Sequence, residues 1–235
     1  MGIRPRVNKG LMIVPGARWW EVALESLIKQ SMRFPSFNIR CFRVIQKLYW
    51  YSYTWLDTYW FGVPLAKNPM DLWIYQDIIW ETRPQVLIET GSYKGGSALY
   101  FAHLFDLIGE GRVVSIDIQD IGSSTLSHPR ITMIVGSSVS DDVASQVRQI
   151  VGNKTAMVSL DSEHSKEHVI REIELYSKFV SVGNYLIVED TCLRGPGPAK
   201  AVEEFLHRRK DFIRDTRREK YMMTSNSGGF LKKIS

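Results

Sequence analysis

The sequence is poor in cysteine and contains no long apolar run. Its two cysteines, Cys41 and Cys192, lie in unlike contexts within 235 residues. We therefore expect no framework of disulfides, and a reducing, cytoplasmic compartment fits this composition. Because no stretch of about 18 apolar residues is present, we expect no membrane-spanning helix. No apolar core follows the charged first residues, so we expect no signal peptide either.

The sequence also lacks the Gly-x-Gly-x-x-Gly fingerprint of dinucleotide-binding proteins. Instead, an apolar run from Val86 leads into Glu89, Gly91 and Gly95, and this spacing predicts a tight turn from a parallel strand into a helix. Glycines at these positions let the backbone approach a bound ligand. The absence of the Gly-x-Gly-x-x-Gly spacing argues against a bound pyrophosphate. Glu89 would repel a diphosphate but suits the cationic sulfonium of S-adenosylmethionine, unless it merely caps the next helix.

Charge and aromatic residues are unevenly distributed. The net charge is +5, and basic residues concentrate near both ends. No aromatic interleaving accompanies the C-terminal basic run, so a solvated face is favoured there and no nucleic-acid partner is expected. The segment over residues 18–60 is rich in aromatic side chains. This segment could cover the core, shape a substrate pocket, lie on a membrane surface or form an oligomer interface. Because an exposed aromatic segment suggests an interface, we expect a homo-oligomer.

From about residue 67 onward, strand and helix patterns alternate, which predicts a doubly wound, mostly parallel, seven-stranded α/β sheet. Residues 1–65 do not continue this alternation and are predicted to form an aromatic-rich helical extension, with helices over 19–30 and 39–51, before a domain over 66–235. Helices are predicted over 71–82, 97–107, 141–151, 166–179 and 199–208. Strands are predicted over 86–89, 112–117, 131–135, 156–161 and 185–189. Two further extended segments, 212–215 and 229–233, have no helix between them and should pair antiparallel.

The carboxyl ends of the predicted strands carry acids or small polar residues. In doubly wound sheets, ligands bind beyond these ends. Asp117 is placed to accept hydrogen bonds from two ribose hydroxyls, and the less favoured alternative is an acid in a surface turn. Ser92 lies within the glycine turn and Ser138 follows the third strand. The strand-end groups are Glu89, Asp117, Gly136 to Ser138, Asp161 and the pair Glu189 and Asp190.

Three of these acids suggest a metal site. Asp161, Glu189 and Asp190 end adjacent predicted strands, where their negative charges would repel one another. A hard divalent cation such as Mg²⁺ would relieve that repulsion and keep positions open for two substrate oxygens. Helix capping and ribose contacts are the alternative uses of these acids. His164 lies one turn past Asp161, where an imidazole could accept a proton from a metal-bound hydroxyl, or could be merely structural.

Four segments together resemble the cephalosporin hydroxylase family, whose better-understood members are S-adenosylmethionine-dependent O-methyltransferases of the class I, Rossmann-like fold. The resemblance spans residue 61 to the C-terminus, and no family pattern is recognised over about the first 53 residues. Catechol O-methyltransferase is a more distant likeness, with a metal that chelates two substrate oxygens. The four segments are Phe61 to Gln76, Ile88 to Ser97, Leu160 to Val169 and Val188 to Thr191.

The resemblance implies a role for particular residues. Asp161, Glu189 and Asp190 match the family's magnesium ligands, and His164 matches the general base proposed for its sugar methyltransferases. S-adenosylmethionine contacts are matched by Glu89, Gly91 and Asp117. The implied activity is Mg²⁺-assisted methylation of a hydroxyl on an antibiotic, another natural product or a sugar moiety. The alternatives are a non-catalytic partner protein that assists another biosynthetic enzyme and, less well supported by the glycine spacing, a nicotinamide oxidoreductase.

Overall fold

The computed structural model describes residues 26–27, 44–120, 127–192, 196–221 and 223–235. The chain divides into two units, Met1–Val44 and Ile45–Ser235, and the second contains the sheet and the helices that pack on it. Residues 44–51 are helical. The rest of the predicted helix over 39–51 and most of the one over 19–30 lie outside the described residues. The predicted boundary between residues 65 and 66 stays a prediction.

Nine strands are present in the described part of the second unit. The first two are short and form an antiparallel hairpin, and the other seven form one sheet. In chain order they are β1 (Tyr59–Trp60), β2 (Val63–Pro64), β3 (Val86–Thr90), β4 (Arg112–Asp117), β5 (Ile131–Val135), β6 (Ala156–Leu160), β7 (Tyr185–Val188), β8 (Phe212–Arg214) and β9 (Phe230–Lys233).

The sheet has the order β5-β4-β3-β6-β7-β9-β8. Strands β3 to β7 are parallel, and β9 pairs antiparallel with both β7 and β8. This confirms the doubly wound, mostly parallel seven-stranded sheet and the antiparallel final pair. The register places Glu89 of β3 between Ser115 of β4 and Ser159 of β6.

Five α-helices connect these strands and begin where the sequence offers capping groups. Asn68 caps the first of them by accepting a hydrogen bond from the Met70 N–H, and Pro69 occupies its first turn. Ser140 and Ser165 cap the third and fourth helices in the same way. The helices are α1 (Pro69–Thr82), α2 (Gly96–Ile108), α3 (Asp141–Val151), α4 (Lys166–Tyr176) and α5 (Gly197–Arg208). Two short 3₁₀ helices cover Thr54–Leu56 and Thr216–Glu219.

The core lies on both faces of the sheet because successive strand residues point to opposite sides. Val86 and Ile88 pack with residues of α3, α4 and α5 in one buried cluster. Leu87 packs with α1 and α2 in the other. All five residues of β3 are buried, as expected for a central parallel strand. Among the described residues, no helix combines the length and apolar character needed to cross a bilayer.

Candidate active site

A cavity of about 750 Å³ opens at the carboxyl edge of the parallel strands. Four of the residues that the sequence predicts to bind a cofactor line it, namely Gly91, Asp117, Ser138 and Asp161. His164, Glu189 and Asp190 line the same cavity. The predicted ligand turn and the predicted metal acids therefore meet in one site. Three predicted cofactor residues, Glu89, Ser92 and Gly95, are described but are not part of the cavity lining.

The glycine turn lies directly against the end of β6. Gly91 has a φ of +81°, and its N–H donates to the Ile116 carbonyl at 2.8 Å. The Asp161 N–H donates to the Thr90 carbonyl at 3.0 Å. Gly95, with a φ of +83°, precedes α2 and ends the turn. A side chain at Gly91 would strike the Asp161 backbone, so the turn and the acid are fixed relative to one another.

Asp117 joins the end of β4 to the glycine turn. Its Oδ2 accepts hydrogen bonds from the Ser92 and Tyr93 N–H groups at 2.9 and 3.0 Å. Its Oδ1 accepts from the Gln119 N–H at 2.9 Å. A carboxylate has about four acceptor sites, so capacity for a ligand hydroxyl remains. The predicted ribose contact stays a prediction.

Glu89 lies beneath the cavity and is fully buried. Its Oε2 accepts from the Ser115 hydroxyl at 2.7 Å, while Oε1 is buried without a hydrogen-bond partner among the described residues. Burial raises the pKa of Glu89, and the charge of Lys67 opposes that rise. Glu89 therefore does not line the cavity wall, and its predicted contact with the cofactor stays a prediction.

Lys67 is a site residue that the sequence analysis missed. Its Nζ donates to Asp161 Oδ2 and to Glu189 Oε1, both at 2.7 Å, and the residue is 5% exposed. Burial lowers the pKa of Lys67, but the charges of Asp161, Glu189 and Glu89 outweigh that effect and raise the pKa well above its usual range. The ammonium group is therefore a permanent positive charge inside the acidic cluster.

Glu189 is fixed by further donors from two elements. Its Oε1 accepts from the Tyr75 hydroxyl at 2.6 Å and from the Ser159 hydroxyl at 3.0 Å. Burial and the charge of Asp161 raise the pKa of Glu189 to about 7. Burial also disfavours the charged form of Asp161, but Lys67 and His164 outweigh it and hold the Asp161 pKa below its usual value. The two neighbouring acids therefore differ in the direction of their pKa shift, with Lys67 and His164 favouring the charged form of Asp161.

His164 faces two of the acids. Its Nε2 lies 3.5 Å from Asp161 Oδ1 and 3.4 Å from Asp190 Oδ2, and it has no hydrogen-bond partner among the described residues. Burial lowers the pKa of His164, but the two carboxylates outweigh it and raise the pKa to about 9. Ligand atoms of Asp161, His164 and Asp190 all lie within 4.8 Å of one another.

This donor set fits a divalent cation. Mg²⁺ holds its oxygen ligands at about 2.1 Å, so neighbouring ligands on one ion lie about 3 Å apart and opposite ligands about 4 Å apart. Ligand oxygens of Asp161 and Asp190 lie within 4.8 Å of one another, which is compatible with the larger of these spacings. Asp161 and Asp190 supply the hard oxygen atoms that such an ion prefers.

Asp190 is held in a left-handed backbone conformation. Its φ is +53°, which is uncommon for a residue with a side chain. The Asp190 N–H donates to Oδ1 of Asn226 at 3.1 Å, and Asn226 is fully buried. The loop before β9 therefore supports the conformation that directs the Asp190 carboxylate into the site.

A second histidine cluster, at His103, Asp106 and His128, has compatible spacing but unsuitable chemistry. His103 Nδ1 accepts from the Trp60 indole N–H at 3.0 Å, and His128 Nδ1 accepts from the Arg130 N–H at 3.2 Å. Each neutral ring then carries its hydrogen on Nε2, which leaves no lone pair there for a metal. Asp106 is also paired with Arg130 at 2.6 Å. We assign no metal to this cluster.

Part of the cavity wall is aromatic. Tyr49, Trp50, Trp55 and Leu56 line this part of the cavity. The Trp50 and Trp55 rings are stacked, with centroids 4.4 Å apart and an interplanar angle of 3°. The Trp55 indole N–H donates to the Trp50 carbonyl at 3.1 Å, which fixes the pair. Such a wall suits a ligand with an apolar face.

Comparison with known proteins agrees with this arrangement. The family model described as rhamnosyl O-methyltransferase/CmcI matches residues 48–234. A rhamnosyl O-methyltransferase of Mycobacterium leprae is 34% identical over 200 residues, which cover 79% of this chain and 87% of the relative. One from Mycobacterium tuberculosis is 32% identical, with 79% of this chain and 82% of the relative covered.

Solved structures share the fold. A CmcI structure with Mg and S-adenosylmethionine has a TM-score of 0.60 and 21% identity, covering 77% of this chain and 78% of that one. The O-methyltransferase TomG from Streptomyces achromogenes, in complex with S-adenosylmethionine, has a TM-score of 0.52 and 16% identity, covering 71% and 80%. The family match and the curated relatives confirm the resemblance that the sequence motifs indicated. The chain belongs to the rhamnosyl O-methyltransferase/CmcI family, which is the cephalosporin hydroxylase family.

Proposed function

We propose that this chain is an S-adenosylmethionine-dependent, Mg²⁺-assisted O-methyltransferase that acts on a hydroxyl of a small molecule. The observation that carries this proposal is the meeting, in one cavity, of the glycine turn with Asp161, His164 and Asp190. The names of the curated relatives support a sugar hydroxyl, such as that of a rhamnosyl group, as the acceptor. The stacked indoles of Trp50 and Trp55 would face the apolar side of such a ring.

The methyl donor is assigned to the side of the cavity formed by the glycine turn. Gly91 gives the backbone room for its close approach, and Asp117 and Ser138 provide polar contacts along the same edge. When ionised, the buried Glu89 carboxyl would favour the cationic sulfonium. The CmcI and TomG structures contain S-adenosylmethionine, and CmcI also contains Mg, which supports the same two cofactors here.

We assign the metal to Asp161 and Asp190. Glu189 is the third predicted ligand, and because its Oε1 accepts from Lys67, its Oε2 is the oxygen that is left for the metal. When bound, Mg²⁺ lowers the pKa of a coordinated hydroxyl. His164 lies beside both carboxylates and is positioned to accept the hydroxyl proton at Nε2. Its pKa is high only because those carboxylates are uncompensated, so neutralising their charge frees the imidazole to act as a base.

Replacing Asp161 tests this assignment. We expect Asp161→Ala to abolish methyl transfer to a panel of rhamnosyl glycosides, measured as release of S-adenosylhomocysteine. Calorimetry should still show binding of S-adenosylmethionine, because the glycine turn is unchanged. Asp142→Ala, at an exposed position on α3, is the control and should retain activity. Normal turnover by Asp161→Ala in chelator-treated buffer would show that the metal assignment is wrong.

Three features remain proposals about the protein as a whole. Residues 1–65 form an extension to a methyltransferase domain over 66–235, the protein is a homo-oligomer, and it resides in the cytoplasm. The aromatic residues of the predicted extension support the oligomer, and the low cysteine content supports the location. Size-exclusion chromatography with light scattering, on the full chain and on residues 66–235, tests the first two.

A further inference from the structure

We propose that Lys67 is an internal counter-ion of the metal site, which orders the carboxylates before metal binds and weakens the binding of a divalent cation. The inference rests on the proposed metal site and concerns how that site is regulated. Lys67 is not a metal ligand and does not touch the reacting atoms. It is a positioning residue that acts through Asp161 and Glu189.

The geometry shows how one ammonium group divides the acidic cluster. Asp161 turns Oδ2 to Lys67 at 2.7 Å and Oδ1 to His164 at 3.5 Å, so its two oxygens serve different positive groups. Glu189 gives Oε1 to the same ammonium group at 2.7 Å. Lys67 therefore fixes the orientation of both the Asp161 and the Glu189 carboxyl groups.

The position of Lys67 is itself well defined. The Lys67 backbone N–H donates to the Thr58 hydroxyl at 3.3 Å. The preceding residue, Ala66, has a φ of +53°. The hairpin of β1 and β2 and the cap of α1 flank it on either side. The side chain is 4% exposed, which leaves the ammonium group no route to solvent without breaking both ion pairs.

Two opposing effects decide what this charge does to metal affinity. An outer partner that orients a ligand typically strengthens metal binding by about 10–100-fold. Because the Lys67 ammonium group contacts the Asp161 carboxylate, it would repel a dication held by that carboxylate. At a separation on the order of a few ångströms and an effective dielectric constant near 20, this repulsion would weaken binding on the order of 10³-fold or more. Repulsion is the larger effect, so Lys67 should lower the affinity of the site while it keeps the metal-free carboxylates in place.

Direct titration with Mn²⁺ tests this without any methyl acceptor. Free Mn²⁺ is followed by electron paramagnetic resonance at pH 8 in the full chain. We expect Lys67→Met to bind Mn²⁺ at least tenfold more tightly than the natural protein. Its metal-free melting temperature should fall, and the rise in melting temperature on adding Mn²⁺ should be larger than in the natural protein. Lys67→Gln is a second variant with the same expected direction, in case the methionine variant does not fold.

Tyr75→Phe is the matched control. It removes a neutral donor from the same Glu189 oxygen, at 2.6 Å, and leaves the charge of Lys67 in place. Because only orientation is lost, Mn²⁺ binding should weaken, opposite in sign to the effect of Lys67→Met. Equal or weaker Mn²⁺ binding by both Lys67 variants would overturn the inference while leaving the proposed function intact. Absence of Mn²⁺ binding in every protein, with S-adenosylmethionine still bound, would overturn the metal assignment and this inference with it.

Discussion

Gly91 and Asp161 meet through their backbones. A Cβ atom added at Gly91 would lie 2.0 Å from the Asp161 carbonyl oxygen, far inside any contact distance. The residue at the centre of the proposed cofactor turn and the first acid of the proposed metal site are thus in direct contact. A shift of the backbone at either residue should therefore displace the other.

Gly91→Ala should therefore damage both halves of the site, the proposed cofactor turn and the proposed metal site. The clash with the Asp161 backbone adds to the cost of a side chain at a φ of +81°, so we expect a loss of more than about 3 kcal/mol in the free energy of unfolding. Binding of S-adenosylhomocysteine and of Mn²⁺ should weaken together. Urea denaturation and the two titrations provide the measurements.

Gly109→Ala tests the cost of backbone strain alone, without a steric collision. Gly109 has a φ of +91°, but an added Cβ would meet no atom within 4 Å. This control should cost only about 1–2 kcal/mol and leave both ligand affinities unchanged. If the two variants behaved alike, the contact between Gly91 and Asp161 would not be what couples the two halves.

Gly197 plays a similar steric role beside His164. A Cβ at Gly197 would lie 2.2 Å from the His164 carbonyl oxygen, at the first turn of α5. Alanine is about 1 kcal/mol better than glycine inside a helix, so any loss from Gly197→Ala must come from the collision. We expect turnover to fall at least tenfold while S-adenosylhomocysteine binding is retained.

Gly152→Ala serves as the control for Gly197→Ala, because a Cβ there meets no atom within 4 Å. Its methyl-transfer rate should equal that of the natural protein. Full activity in Gly197→Ala would show that the loop carrying His164 can shift without consequence, which would argue against a precisely placed base.

The fold and most of the acids could be predicted because both follow from local pattern. The buried run that ends at Asp117 was predicted with the bounds observed for β4, and α3 began and ended where predicted. Lys67 could not be found this way. Its partners Asp161 and Glu189 are 94 and 122 positions away, and only the folded sheet brings them to the hairpin. The complete burial of Glu89 likewise could not be predicted from its own segment, because it depends on the neighbouring strands β4 and β6.

Asn226 should support metal binding although its side chain accepts from the Asp190 backbone N–H and not from the carboxyl group. Its Oδ1 accepts the Asp190 N–H and supports a φ of +53°. We expect Asn226→Ala to weaken Mn²⁺ binding about 10–100-fold and to lower the free energy of unfolding by about 1–3 kcal/mol. Asn184→Ala, a similarly buried asparagine, should lower stability without changing Mn²⁺ affinity. Equal Mn²⁺ affinities in the two variants would contradict this role.

Acid sensitivity should arise at the far edge of the sheet, where Asp215 is 5% exposed. Asp215 accepts hydrogen bonds from Arg217 at 2.7 Å and from the Tyr185 hydroxyl at 2.7 Å. The bond to Arg217 is the main cause that holds the pKa of Asp215 well below its usual value. The folded state therefore binds fewer protons than the unfolded state, and this stabilisation is present above about pH 4 and is lost as the pH falls below it.

Asp215→Asn should remove that pH dependence. At pH 7 we expect the variant to be less stable by about 1–3 kcal/mol in urea denaturation, because hydrogen bonds to a charged group are lost. The difference between the two proteins should narrow between pH 4 and pH 3, since the natural protein loses the same contribution by protonation. Glu110→Gln, at an exposed carboxylate, should differ little from the natural protein at any pH. A stability difference that stayed constant down to pH 3 would mean that Asp215 contributes through packing rather than through its charge.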